Sequence, residues 1–289
     1  METTDLLKKV RQIEIKTRGL SRNIFAGQYH TAFKGRGMAF SEVREYQFGD
    51  DIRNIDWNVT ARFNTPFVKV FEEERELTVM LLVDVSGSRA FGSGRMLKQD
   101  MVTEIAATLA FSAIHNNDKI GLIFFSDRME KFIPPQKGKK HILYLIRELL
   151  SYEPTEKKTD IAEALRYMTS AIKKRCTAFI ISDFLDTKDF KTDLTIANRK
   201  HDVVALQVFD HREAVLPNVG LLRVKDAETE QEILIDSSSR KLRYQYEQWW
   251  QKHQEHVVDT FKKSKVDHVS ISTEDDYVRS LMALFNLRN

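Results

Sequence analysis

Asp84, Ser86 and Ser88 alternate with Val85 and Gly87 in the stretch Asp84-Val85-Ser86-Gly87-Ser88. A carboxylate and two hydroxyls are hard oxygen donors, and such donors suit Mg²⁺ or Mn²⁺ in an oxygen-rich, roughly octahedral shell. Two further oxygen donors fall at comparable places along the chain. Thr159 stands just ahead of Ile161, Leu165, Met168 and Ile172, whose spacing is helical, so it suits a helix cap or a ligand. Asp183 follows the apolar run Ala178–Ile181 through Ser182. Asp, Ser and Gly after a strand also make an ordinary turn, so D-x-S-x-S alone does not separate a turn from a site. The full order, D-x-S-x-S then Thr then Asp, at strand and helix ends points to a divalent-cation site.

Such a site needs elements that bring distant residues into one crevice. Four short apolar runs, Leu77–Val83, Ile120–Phe125, Ala178–Ile181 and Val203–Phe209, are near-continuous rather than alternating. Strands covered on both faces of a parallel sheet read this way. Between them, Met101, Ile105 and Leu109 mark one helix, His141–Leu150 another and Ile161–Ile172 a third. Alternating strands and helices imply right-handed crossovers and an α/β, doubly wound, mostly parallel sheet flanked by helices. Leu77–Val83 and Ala178–Ile181 are expected as interior neighbours. In such sheets ligands bind beyond the carboxyl ends of the strands, where Asp84 and Asp183 fall. Later come a hairpin of Leu221–Lys225 with Gln231–Asp236, a long helix carrying Leu242, Tyr246, Trp249, His253, Val257 and Phe261, a strand Val266–Ile271, and a last helix with Tyr277, Leu281, Leu284 and Phe285. The expected organisation is an N-terminal extension over residues 1–76, packed on a core of residues 77–289 that carries a hairpin insertion near 219–236.

The constellation resembles the metal ion-dependent adhesion site of von Willebrand factor A domains. The resemblance implies direct or water-mediated coordination of Mg²⁺ or Mn²⁺ by Asp84, Ser86, Ser88 and Thr159, with Asp183 acting through water. It also implies that a protein partner donates a carboxylate to complete the shell. Two departures bear on loop shape: Lys157 and Lys158 stand where glycines often precede the Thr, and Phe184 where a Gly often follows the last Asp. A second resemblance covers nearly the whole chain. Gly35–Phe40, Arg44-Glu45-Tyr46, Gly49–Trp57, Ala61-Arg62, Val68-Lys69, Ser182-Asp183-Phe184, His201-Asp202-Val203, Asp210–Glu213 and Pro217 are similar to the hallmark segments of the domain of unknown function fifty-eight family. That resemblance implies work beside a MoxR-type AAA+ ATPase in assembling or activating other proteins.

Within the extension, residues 29–64 are rich in charge, glycine and aromatics without periodicity, a length that implies function or packing. Arg44, Arg53 and Arg62 have Asp50, Asp51 and Asp56 close in sequence. One reading is a buried ion-pair network, with Trp57 and Arg53 holding the segment on the core. The other is a partner surface made of Arg44, Asp50, Asp51, Arg53, Asp56 and Trp57.

Other chemistries find little support. Phe91–Arg95 is glycine-rich but lacks the P-loop lysine pattern, and Gly35-x-Gly37 lacks a third glycine. The eight histidines show no zinc spacing. Asp84 could act as the nucleophile of a hydrolase or phosphatase, but Ser86 stands where the usual second aspartate would be. The favoured expectation is therefore a non-enzymatic, metal-dependent interaction module; the alternatives are that hydrolase and a scaffold with a vestigial metal site. With 45 basic and 42 acidic residues, nothing demands nucleic acid as partner. A single cysteine, Cys176, excludes an intrachain disulfide, fits a reducing compartment and reads as a buried, inert thiol. Trp249-Trp250 reads as core plus packed rim, and Glu72–Glu76 as a solvated charge run. The first residues hold no apolar signal core, and no run approaches the roughly 18–20 apolar residues of a membrane helix. The expectation is a cytoplasmic protein without direct membrane insertion.

Overall fold

The computed structural model describes residues 8, 10–16, 39–63, 65–72, 77–93, 96–225 and 231–288. Gly35–Met38 of the hallmark segment, residues 73–76 of the charge run, and Gly94 and Arg95 lie outside the described residues. Residues 10–16 are helical. The described residues of 34–77 form one compact unit, and those of 1–33 and 78–289 another.

In the smaller unit, β1 (Ala39–Glu45) pairs antiparallel with β2 (Phe67–Glu72), and the turn between them carries the short helix α1 (Trp57–Phe63). Asp56 starts α1 because its carboxylate accepts from the Asn58 and Val59 amides. Arg44 donates two 2.8 Å hydrogen bonds to Asp50, and Arg53 pairs with Asp51 at 2.7 Å. Asp56 pairs with Lys69 at 3.4 Å, and Arg62 is exposed. The expected Arg–Asp pairing therefore holds for two of the three pairs, but it is not a buried network. The Arg53 side chain is 86% exposed, and Trp57 is 69% exposed, so neither is buried within the smaller unit.

The larger unit is built on β3 (Thr78–Asp84), β4 (Lys119–Phe125), β5 (Met129–Gln136), β6 (Thr177–Ser182), β7 (Asp202–Phe209) and β10 (Asp267–Ser272), in the order β10-β7-β6-β3-β4-β5. Every pairing is parallel except β4 with β5. β3 and β6 are interior neighbours, as expected. The separate hairpin is β8 (Leu221–Lys225) with β9 (Glu232–Asp236).

Apolar continuity in β3 reflects burial of both faces. Met80 and Leu82 join a core that also holds Ile161, Leu165 and Met168 of α4 (Ile161–Ala171), Leu194 of α5 (Lys191–Lys200), and Val257 and Phe261 of α7 (Arg240–Ser264). On β6, Phe179 meets Phe285 of α8 (Tyr277–Arg288) edge to face, with centroids 6.5 Å apart. α2 (Lys98–His115) is buried along most of its length and packs beside α3 (Lys139–Ser151). The one-turn helix α6 (His211–Ala214) follows β7 and is fixed by a capping box, with Asp210 and Glu213 exchanging backbone hydrogen bonds. Trp250 is buried and Trp249 half exposed, matching core plus rim; Cys176 is buried with its thiol pushed up to about 12 by burial. Among the described residues, no helix is long and apolar enough to cross a membrane.

Candidate metal centre

Asp84 ends β3 and is buried where the parallel strands give way to loops. The Ser86 amide donates to Asp84 Oδ1 at 2.9 Å, which folds the chain back over the strand end. The Ser86 and Ser88 hydroxyls lie 3.1 Å apart, so the three D-x-S-x-S side chains are drawn into one small volume. The neighbouring loops are stitched to this turn. Val85 N–H donates to the Phe125 carbonyl, Gly87 N–H to the Lys157 carbonyl and Asp160 N–H to the Ser126 carbonyl. The exposed Lys157 and Lys158 thus belong to a segment that closes on the serine turn.

Thr159 is buried on that segment, but the helix cap falls to its neighbour. Asp160 accepts from the Glu163 amide at 2.8 Å and starts α4. Of the two roles that Thr159 suits from sequence, the cap is therefore excluded.

Asp183 follows β6 on the adjacent strand. Its carboxylate accepts from the Leu185 amide at 3.1 Å and from Lys98 Nζ at 2.8 Å. Its carbonyl accepts from Gln207 Nε2 of β7 at 3.1 Å. Phe184, next in the chain, has φ 59°, the left-handed region that favours glycine. Its buried ring stands edge to face with Phe261 at 4.9 Å, so packing holds a conformation that Phe by itself disfavours. A left-handed position is thereby held without a glycine.

A cavity of about 20 Å³ lies between these groups, lined by Asp84, Ser88 and Asp183 together with Ser182, Lys98 and Arg89. That volume is the size of one water or one small cation, at a polar site able to hold it. Val102, Ile181 and Val208 complete the lining, and neither Ser86 nor Thr159 is part of it. The donor set is all oxygen and fits Mg²⁺ or Mn²⁺ by chemistry. It is poor in carboxylates: among the described residues, no group of three or more His, Cys, Asp or Glu is arranged to hold a metal ion.

The electrostatics set the two carboxylates apart. Burial, and then the nearby charge of Asp183, push Asp84 up to about 6, against the hydrogen bonds from Ser182 and Ser86. Burial works against the Asp183 carboxylate as well, but Lys98 and then Ser88 outweigh it and hold Asp183 below its ordinary value. Asp183 is thus the firmly ionised member of the pair.

Three participants were not singled out by spacing. The Ser182 hydroxyl donates to Asp84 Oδ2 at 2.6 Å and accepts from the Phe184 amide, tying β6 to β3. Lys98, buried at the start of α2, bridges Asp183 to Glu213 Oε1, the latter at 2.5 Å. Glu213 belongs to the α6 capping box. Lys98 sits three residues before Met101, on the stripe that continues to Ile105, and a lysine on a core-facing stripe is the signal that was available in the sequence.

The model of the family described as "Protein of unknown function DUF58" matches residues 42–256. The chain belongs to this family. A relative of this DUF58 protein is the uncharacterized protein Rv1480 of Mycobacterium tuberculosis (strain ATCC 25618 / H37Rv), 28% identical over 281 residues, 96% of this chain and 88% of the relative. Among solved structures, the DUF58 chain is similar to an aerotolerance-related membrane protein from Bacteroides fragilis, with TM-score 0.50 and 14% identity over 73% of this chain and 99% of that one. It is also similar to the SpRpn10 VWA domain, with TM-score 0.40 and 12% identity over 73% of this chain and 95% of that one. The DUF58 membership and the mostly parallel α/β sheet both agree with the reading of the sequence.

Proposed function

We propose that this DUF58 protein is a non-enzymatic protein-interaction module whose docking depends on Mg²⁺ or Mn²⁺, and that it works in the cytoplasm with a MoxR-type AAA+ ATPase to assemble or activate other proteins. The observation that carries the reading is the cation-sized cavity shared by Asp84, Ser88 and Asp183 at the carboxyl ends of two adjacent parallel strands. Asp84, Ser86, Ser88 and Thr159 would hold the cation, and Asp183 would act through water. A bound divalent cation supplies an electrophilic position for an Asp or Glu of the partner. Ser182 and the Ser86 amide orient Asp84 by donating to Oδ2 and Oδ1 respectively. Gln207 and the Leu185 amide fix Asp183 from behind. The exposed Asp51, Arg53 and Trp57, with the partly buried Arg44, Asp50 and Asp56, offer a further partner surface, with no role assigned to nucleic acid or to membrane insertion.

Hydrolysis is disfavoured because Ser86, two residues after Asp84, offers a hydroxyl that faces Ser88 where acid–base work needs a carboxylate. Mg²⁺-dependent turnover of a phosphate ester that disappears in Asp84→Asn would favour the enzyme instead. A scaffold with a vestigial metal site is favoured by one observation, the Lys98 ammonium already seated on Asp183. Co-purification of the full chain with a MoxR-type ATPase separates the readings. The metal-dependent module requires capture with Mg²⁺, release by EDTA and loss in Asp84→Ala. Capture that survives both EDTA and Asp84→Ala supports the scaffold and overturns the proposal.

A further inference from the structure

We propose that Lys98 is a built-in counter-cation that sets how strongly the Asp84–Asp183 site takes a divalent cation. The inference rests on the metal reading above. Lys98 is a positioning residue here, because it acts through Asp183 and not on a partner.

The Lys98 side chain is only 3% exposed, so its charge is poorly screened. A buried ammonium persists only when paired, and here it has two partners, Asp183 at 2.8 Å and Glu213 at 2.5 Å. Its place is built from both sides. It leaves the first residue of α2, and Glu213 is held in turn by the Asp210 amide at 2.9 Å within the α6 capping box. Lys98 lines the same cavity as Asp84, Ser88 and Asp183, with Arg89 as its second basic residue, and its ammonium sits on Asp183 of that lining.

Three consequences follow from that position. The ammonium occupies part of the accepting capacity of Asp183, which is limited to two oxygens. It offsets one of the two negative charges that Asp84 and Asp183 present. It also repels a second cation across a short, weakly screened distance. The site therefore takes a divalent cation weakly when the chain is alone. A partner's carboxylate adds the negative charge that Lys98 removes, so cation and partner bind in concert. Glu213 gives the ammonium a second seat, which lets Asp183 turn toward the cation without leaving Lys98 unpaired.

The test is Mn²⁺ binding to the full chain, read from the free-ion signal in electron paramagnetic resonance. Lys98→Met is expected to tighten Mn²⁺ binding by at least about tenfold, because a poorly screened like charge is removed. Lys98→Arg keeps the charge and should bind as the unaltered chain does. Should Lys98→Met fail to fold, the double variant Lys98→Met with Glu213→Gln removes one of the carboxylates left without a partner. It should bind more tightly than Glu213→Gln alone. The proposal is overturned if both lysine-free variants bind no more tightly than their references, or if Lys98→Arg tightens binding as much as Lys98→Met. If the folded, unaltered chain and Lys98→Met both bind no Mn²⁺ at all, the metal reading itself falls, and this inference with it.

Discussion

At the scale of single residues, the two aspartates of the candidate centre are chemically unequal. Asp84 lies against the apolar end of its strand and is raised to about 6 by burial and by the charge of Asp183. Its unfolded value is near 3.9, so between these values the folded chain binds more protons than the unfolded one. The stability from this group is thus fully present below about pH 4 and lost as the pH rises through about 6. In the absence of divalent cations, Asp84→Asn should therefore stabilise the chain by roughly 1–3 kcal/mol at about pH 8, with the gain fading toward about pH 4. Urea unfolding at the two pH values checks this, and a gain that does not depend on pH would contradict it. Asp84, Ser86, Ser88 and Asp183 were legible in sequence because each follows an apolar run that ends at the same edge of the sheet. Ser182 and Lys98 were less so. Ser182 reads as the last residue of a strand, and the partner of Lys98 lies 85 residues away, a distance that only the fold closes.

At the scale of elements, the turn after β6 depends on a ring rather than on a glycine. Phe184 keeps a left-handed backbone while its side chain fills a buried slot beside Phe190 and Phe261. Truncating a buried Phe costs about 3–5 kcal/mol, whereas relief of the left-handed conformation is worth only about 1–2. Phe184→Ala and Phe184→Gly should both destabilise the chain, by several kcal/mol in denaturant titration. A Phe184→Gly chain as stable as its parent would show that strain, not packing, dominates the turn. The buried strands β3, β4, β6 and β7 were readable because both of their faces are covered, which leaves continuous apolar runs. β5 was not, for it holds Pro134 and Pro135 and lies at the sheet edge, where proline is tolerated and one partner suffices. β1, β2 and α1 were hidden by the charge and glycine of their segment. The hairpin and the long α7 were read close to their observed limits, because turn residues and helical spacing mark them plainly.

At the scale of the whole molecule, the smaller unit carries several exposed apolar side chains. Phe48, Ile52, Trp57 and Phe63 are all more than half exposed. Trp57→Ala should accordingly shift stability by less than about 1 kcal/mol, as exposed substitutions do. A melting temperature lowered by many degrees would return Trp57 to a structural role. The proposed function turns on a single divalent-cation site at the carboxyl edge of the parallel sheet, with Asp84, Ser86, Ser88, Thr159 and Asp183 as its proposed ligands. Equilibrium Mn²⁺ titration of the full chain tests it most directly, beside Asp84→Ala and Ser86→Ala with circular dichroism to show that each is folded. One weakly held Mn²⁺ per chain is expected, lost in Asp84→Ala and at least greatly weakened in Ser86→Ala. Absence of Mn²⁺ binding by the folded chain, or binding unchanged by Asp84→Ala, would contradict it.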